Sequence, residues 1–316
     1  MALRNSLFAV SGKASFLDAR RDMSGLFVCD KTTMMPIAGI LDRSQDNLVT
    51  GNSNSMSVTV HPFNAVLNRY GALLIQNDGN VNVPLAAAPS ANSRIDVIYV
   101  KQNETRSPMS DASDVPTFGV VKGTASATPT APTVPVGALA LAQVLLPAGV
   151  ANTASGGVAI TQTYIGAAMK GGMLRVQNSS QRDALTSAPD GTLVHNVADG
   201  CDYIRKDGKW RGWNMPWTDI HTDANQAHMW VNAGTAHVDL LTASTALTGW
   251  GNSVTVARVD NLLFRPAVSE GCYTATRDSY YPTVVSALTD GNITIGYVGG
   301  PTGSRVVSAI FSYNVG

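Results

Sequence analysis

Three histidines, His221, His228 and His237, fall within seventeen positions, with Asp219, Asp223 and Asp239 among and beside them. Imidazole and carboxylate together can hold a transition metal. Spacings of seven and nine residues match no zinc motif, and ordinary surface or core histidines are the plainer reading. Trp210, Trp213 and Trp217 form a second group beside Pro216. Indoles offer flat apolar faces on which the C–H face of a sugar ring can stack. The reading preferred on the sequence is that they fill the core of a module of about 45 residues, which has little else to bury. A third group is Trp230, Trp250, Tyr273, Arg277, Asp278, Tyr280 and Tyr281. Tyr, Trp and Arg give contact area with a polar handle, so these are the candidate receptor-binding residues, against the alternative of a loop with packed tyrosines.

Catalytic chemistry has little to stand on. Glutamate occurs only at Glu104 and Glu270, and the aspartates form no recognisable acid–base pair of the kind glycoside hydrolysis needs. The chain carries no GxSxG, HExxH, P-loop or GxGxxG motif. Cys29, Cys201 and Cys272 are far apart and odd in number, which argues for free thiols rather than a disulfide framework or a zinc site. The expectation is a non-enzymatic protein with no cofactor and no metal.

The elements that would position these groups are strands. Lys and Glu are scarce, while Val, Thr, Ser, Asn and Gly are plentiful, a mix that favours strands and turns over helices. An all-β fold is expected. The 316 residues carry 22 basic and 22 acidic side chains, so no long-range field draws the chain to nucleic acid or an anionic membrane. A charged fraction of 14 %, against roughly 25 % in average proteins, fits a chain that buries surface between subunits. No secretory signal and no run of ~20 apolar residues is found.

Four segments are expected. Residues 1–50, irregular in pattern, read as an N-terminal arm or docking segment. Residues 51–165 read as a β-rich domain. Within it, Asp78-Gly79 between alternating apolar runs predicts a hairpin. The run Arg94-Ile95-Asp96-Val97-Ile98-Tyr99-Val100 predicts a central strand. Residues 101–117 read as an exposed loop. Pro129, Pro132 and Pro135 predict extended chain, and proline and glycine at both ends argue that Ala138–Leu146 is a strand despite its Ala-Leu content. Residues 166–217 read as a linker and a three-stranded meander with turns at Asp199-Gly200 and Asp207-Gly208. Residues 218–316 read as a β-sandwich or barrel. Its last run should place Val307, Ala309, Phe311, Tyr313 and Val315 on one face.

From Val58-Thr59-Val60 through Asn92-Ser93-Arg94-Ile95-Asp96-Val97 and Pro135-Val136-Gly137-Ala138-Leu139 to Leu146-Pro147-Ala148-Gly149, the chain resembles the N-terminal domain of phage minor tail, tail-fibre and upper-baseplate proteins, especially those of phages of Gram-positive, actinobacterial hosts. The meander, with Gln181-Arg182-Asp183-Ala184-Leu185 and Asp207-Gly208-Lys209-Trp210, resembles a small module frequent in phage tail proteins. The resemblance runs from residue 56 to 217. It implies a virion protein of the tail tip, assembled in the host cytoplasm as an elongated homotrimer. Its partners would be itself, other tail or baseplate proteins and, through residues 218–316, a host cell-surface glycan, with no nucleic acid and no membrane insertion. A purely structural adaptor joining the tail to another fibre stays open as an alternative, and a cell-wall-degrading tail enzyme as a second.

Overall fold

Strand Arg94–Gln102 alternates buried and half-buried side chains and is flanked on both sides. A computed structural model describes residues 15–41, 47–220, 225–243, 245–247, 252–277, 281–299 and 302–315. It places this strand between Leu139–Leu146 and Pro116–Val121 in a four-stranded antiparallel sheet closed at one edge by Ala159–Gln162. The central strand and the strand reading of the Ala-Leu run both hold. Arg94 and Asp96 sit two apart on the central strand and so share a face. Arg94 Nε donates to Asp96 Oδ1 at 2.9 Å, while its Nη1 and Nη2 donate to the carbonyls of Ala87 and Ala86, each at 2.7 Å. The Gly123 amide donates to Asp96 at 2.9 Å. The pair is buried with its hydrogen-bonding capacity used, which is the condition for a buried ion pair to be tolerated. It ties two distant segments to the strand.

The chain divides into two compact units, Met1–Thr192 and Leu193–Gly316. In the first, two three-stranded sheets accompany the four-stranded one. One holds Gly39–Ile40, Phe63–Asn68 and Ala72–Asn77; the other holds Val49–Gly51, Ser57–Val60 and Val81–Pro84. The hairpin expected at Asp78-Gly79 is not made there. Ala72–Asn77 pairs back with Phe63–Asn68, and Val81–Pro84 pairs with Ser57–Val60. The four strands form one long hairpin whose tip is Tyr70-Gly71. Asp78-Gly79 and His61-Pro62 are the corners where its arms pass from one sheet to the other. Asn77 Nδ2 holds the corner, donating to the carbonyls of His61 and Gly79.

The described residues 15–41 and 47–50 pack within this unit, where an N-terminal arm was expected. Ile40, Leu48 and Val49 are buried in one apolar cluster with Val58, Val60, Ile98, Leu141 and Leu146. Each such aliphatic side chain contributes about 1.5–3 kcal/mol on burial. Helix Phe16–Ser24 begins with a reciprocal cap, in which Ser15 Oγ accepts from the Asp18 amide and Asp18 Oδ2 accepts from the Ser15 amide.

In the second unit, six strands follow one another antiparallel: Leu193–Asn196, Cys201–Lys206, Lys209–Asp219, Gln226–Asn232, Thr235–Leu241 and Ser308–Asn314. The first three are the expected meander. Asp207 (φ 51°) and Gly208 (φ 70°) form its second turn, both in the left-handed region that a two-residue hairpin needs. The meander continues into the rest of the sheet, because the eleven-residue strand Lys209–Asp219 pairs first with Cys201–Lys206 and then with Gln226–Asn232. The boundary expected at 217/218 falls inside that strand; the contacts divide the chain at 192/193 instead. A second sheet runs Ser253–Arg258, Asn292–Tyr297, Pro282–Ala287, Glu270–Ala275, and Thr245–Leu247 pairs with Gly303–Arg305. Among the described residues no sheet closes on itself, so of the sandwich and the barrel the sandwich-like arrangement is the one found. Its interior takes Met229, Val238, Leu240, Phe311 and Tyr313 from the first sheet and Val285, Ile293 and Ile295 from the second. Tyr313 donates its hydroxyl to the Phe264 carbonyl at 3.0 Å. The last strand alternates as expected, with Ala309, Phe311 and Tyr313 inside and Ser308, Ile310, Ser312 and Asn314 outside.

Candidate functional site

The outward face of strands Gln226–Asn232 and Thr235–Leu241 carries the aromatic groups. Between the pairs Met215↔Val231 and Thr218↔Met229 the register shifts, so Pro216 and Trp217 together oppose Trp230. This two-against-one count is a β-bulge, a device that re-aims side chains. Trp230 is paired directly with His237, and His237 with Ser312. The rings follow that row. Trp217 stacks on Trp230 with centroids 5.0 Å apart and on His228 at 4.8 Å, both at 23° between planes. Trp230 stacks on His237 at 5.1 Å and 20°. Ser312 Oγ lies 2.8 Å from His237 Nδ1 and fixes that ring.

His228 and Trp230 are two apart on one strand, so both stand on the outward face of the sheet, and Trp217 stacks on each. Trp217 itself is 56 % exposed. The ladder of Cys201–Lys206 with Lys209–Asp219 ends at Asp202↔Asn214, before Trp217 is reached. Each aromatic pair contributes about 0.5–1.5 kcal/mol beyond area burial, enough to hold the indole flat before any ligand arrives. On the same outward face stand exposed Gln226 and Asn232 on the neighbouring strand, and, on the far side of Thr235–Leu241, exposed Ser308, Ile310, Ser312 and Asn314. Two carboxylates share this face, since Asp219 and Asp239 are paired on either side of His228. A flat aromatic face beside amides, hydroxyls and carboxylates can stack the C–H face of a pyranose and accept or donate hydrogen bonds to its hydroxyls.

The expected aromatic groups are redistributed. Trp210 is in the core, as the core-filling reading has it, with the Arg205 guanidinium 5.2 Å over its ring. Trp217 is not a core residue but the most open ring of the stack. Of the receptor candidates, Trp230 is in the stack. Tyr273 is 82 % exposed on Glu270–Ala275, in the other sheet. Arg277 is exposed, its amide donating to the Val306 carbonyl. Tyr281 is half-buried, with Arg305 5.4 Å over its ring. Trp250, Asp278 and Tyr280, with His221 and Asp223, lie outside the described residues. Trp230 and Tyr273 therefore stand on different sheets, and Arg277 and Tyr281 lie in the connection between Glu270–Ala275 and Pro282–Ala287. Alternation along 209–219 separates Trp210 from Trp213 and Trp217, a signal present in the sequence; the meeting of Trp217 with Trp230 and His228 needed the register.

His228 and His237 serve as stacking partners. Among the described residues no group of three or more His, Cys, Asp or Glu side chains could hold a metal ion. Burial, with the Asp199 carboxylate adding, pushes the Cys201 thiol up to about 12, and burial also raises Cys29 and Cys272. All three are thiols rather than nucleophilic thiolates at neutral pH. No described helix is long and apolar enough to cross a membrane. No protein-family model matches the chain, and no curated protein matches it.

Proposed function

We propose that the chain is a structural, non-enzymatic component of a phage tail tip, and that its C-terminal unit binds a host cell-surface glycan on the face built around Trp217 and Trp230. The observation that carries the glycan reading is that Trp217 is 56 % exposed while its ring is stacked on His228 and Trp230. The tail assignment draws on the likeness of residues 56–217 to tail proteins, on the low charge and on the nearly all-β architecture. One indole gives a weak site. Three copies in a homotrimer, and several assemblies per particle, raise avidity by orders of magnitude, about 10²–10⁴ per added linkage, without new contacts.

The test is binding of the whole labelled protein to intact susceptible cells and to their purified wall polysaccharide. Trp217→Ala should weaken binding by about tenfold or more, the loss of one stacked anchor worth over 1 kcal/mol. Its circular dichroism should stay that of the wild-type β-fold, with Tm lowered by several degrees for the two lost stacking pairs, so binding is compared at a temperature where both proteins are folded. If folded wild-type protein binds neither cells nor polysaccharide, the glycan reading fails and the adaptor role takes its place. Sugar released from purified walls would instead make the chain an enzyme.

A further inference from the structure

The first unit holds a cavity of about 740 Å³, within the range of roughly 300–1,000 Å³ usual for small-ligand sites. Its floor is charged. Arg69, only 7 % exposed, pairs with Asp111 and, through Nε at 2.9 Å, with Glu104. Arg20 grips both Glu104 oxygens, Nη1 donating to Oε2 at 2.9 Å and Nη2 to Oε1, and Lys101 Nζ donates to Asp111 Oδ1 at 2.6 Å. Three cations face two carboxylates, so one positive charge is left over in this network. Two sets of donors can deliver it to the cavity. Arg69 Nη1 makes no hydrogen bond among the described residues, and a Cβ on Gly137 would sit 3.3 Å from it. Gly137 thus keeps the wall open beside the guanidinium. Lys101 has three N–H donors and spends one on Asp111. The remaining walls combine apolar Met35, Tyr70, Pro108, Met109 and Val136 with polar Thr33, Asn68 and Ser110. Tyr70 (φ 57°) and nearby Met34 (φ 59°) hold left-handed backbone that ordinary side chains avoid, and Val136 is 95 % exposed.

We propose that this cavity binds a carboxylate joined to an apolar body, the carboxylate meeting Arg69 Nη1 and Lys101 Nζ and the body lying between Tyr70, Met109 and Val136. A charge-assisted bond from guanidinium or ammonium to carboxylate is the strong polar contact here, and the apolar walls favour it by excluding water. The inference is independent of the glycan reading, whose site is in the other unit.

The experiment titrates the full-length protein with 8-anilinonaphthalene-1-sulfonate, an anion on an apolar body, read by fluorescence. Saturable binding at one site per chain is expected. Val136→Glu places a like charge at the mouth without touching the core and should weaken binding about tenfold or more. N-acetylphenylalanine should displace the dye, and its uncharged amide should need at least about tenfold more. A blocked hexapeptide with an internal Asp-Phe separates the sources: better displacement than the free acid assigns the carboxylate to a partner chain, and worse displacement assigns it to a small molecule. Absence of saturable binding, dye binding indifferent to Val136→Glu, or equal displacement by acid and amide each overturns the proposal.

Discussion

Asp111 shows how much one carboxylate can hold. It accepts from Lys101 Nζ and from the Glu104 amide at 2.8 Å, and it pairs with Arg69. The Lys101 hydrogen bond, against the opposing pull of burial and helped by the Glu104 amide and the Arg69 charge, holds its carboxyl below the usual range. A depressed carboxylate stabilises the fold above its unfolded value of about 3.9 and loses that contribution as pH falls through the lower folded value. Asp111→Asn should therefore cost about 2 kcal/mol near pH 7. Urea midpoints of wild type and variant should converge as pH falls below about 4. A gap that persists unchanged at the acid end would mean that the loss is one of packing and not of charge. The network also reaches past the loop that bears Asp111, since Arg20 comes from the first helix and Arg69 from the hairpin tip.

At the scale of elements, the long bent hairpin organises the first unit. Its tip meets helix Phe16–Ser24, where the Ala72 amide donates to Ser24 Oγ at 2.9 Å. Gly71 (φ 132°) adopts backbone that disfavours any side chain, and a Cβ there would come within 2.7 Å of the Arg20 carbonyl carbon. Gly71→Ala should destabilise the unit by about 2 kcal/mol or more, a fall in Tm of several degrees by calorimetry. An unchanged Tm would show that helix and tip separate without cost. In the second unit, the bulge at Pro216-Trp217 sets the aromatic face in the same way, by letting two residues of one strand answer a single residue of the next.

For the whole molecule, the division at 192/193 has a direct consequence. A fragment of residues 218–316 cuts strand Lys209–Asp219 in two and discards the meander that pairs with it. Residues 193–316 keep six of the seven strands of that sheet, the meander among them. The longer fragment should give a β-type circular dichroism spectrum and a cooperative unfolding transition, and the shorter one neither. Two fragments that melt alike would remove the meander from the unit. The proposed trimer predicts a mass near three times 33.1 kDa by light scattering of the intact protein. A stable monomer would withdraw the avidity argument.

Local pattern by itself determined a good deal. It marked Arg94–Val100 as a central strand, put Phe311 and Tyr313 inside, and placed turns at Asp199-Gly200 and Asp207-Gly208, because strand alternation and left-handed turn chemistry are properties of neighbouring residues. It also favoured strand over helix for Leu139–Leu146, where the flanking proline and glycine outweighed Ala-Leu propensity. Tertiary structure alone decided which strand answers which. Asp78-Gly79 is a good turn in either case; only the distant partners of its flanking strands make it a sheet corner instead of a hairpin tip. Ile40, Leu48 and Val49 lie on stretches too short to show a period, and they join the core because a sheet from later in the chain is there to cover them. Trp217 and Trp230 are thirteen positions apart, with no local rule connecting them. Their stack exists because a register shift, set by the apolar residues on the opposite face, brings the two indoles level on the outer side of the sheet.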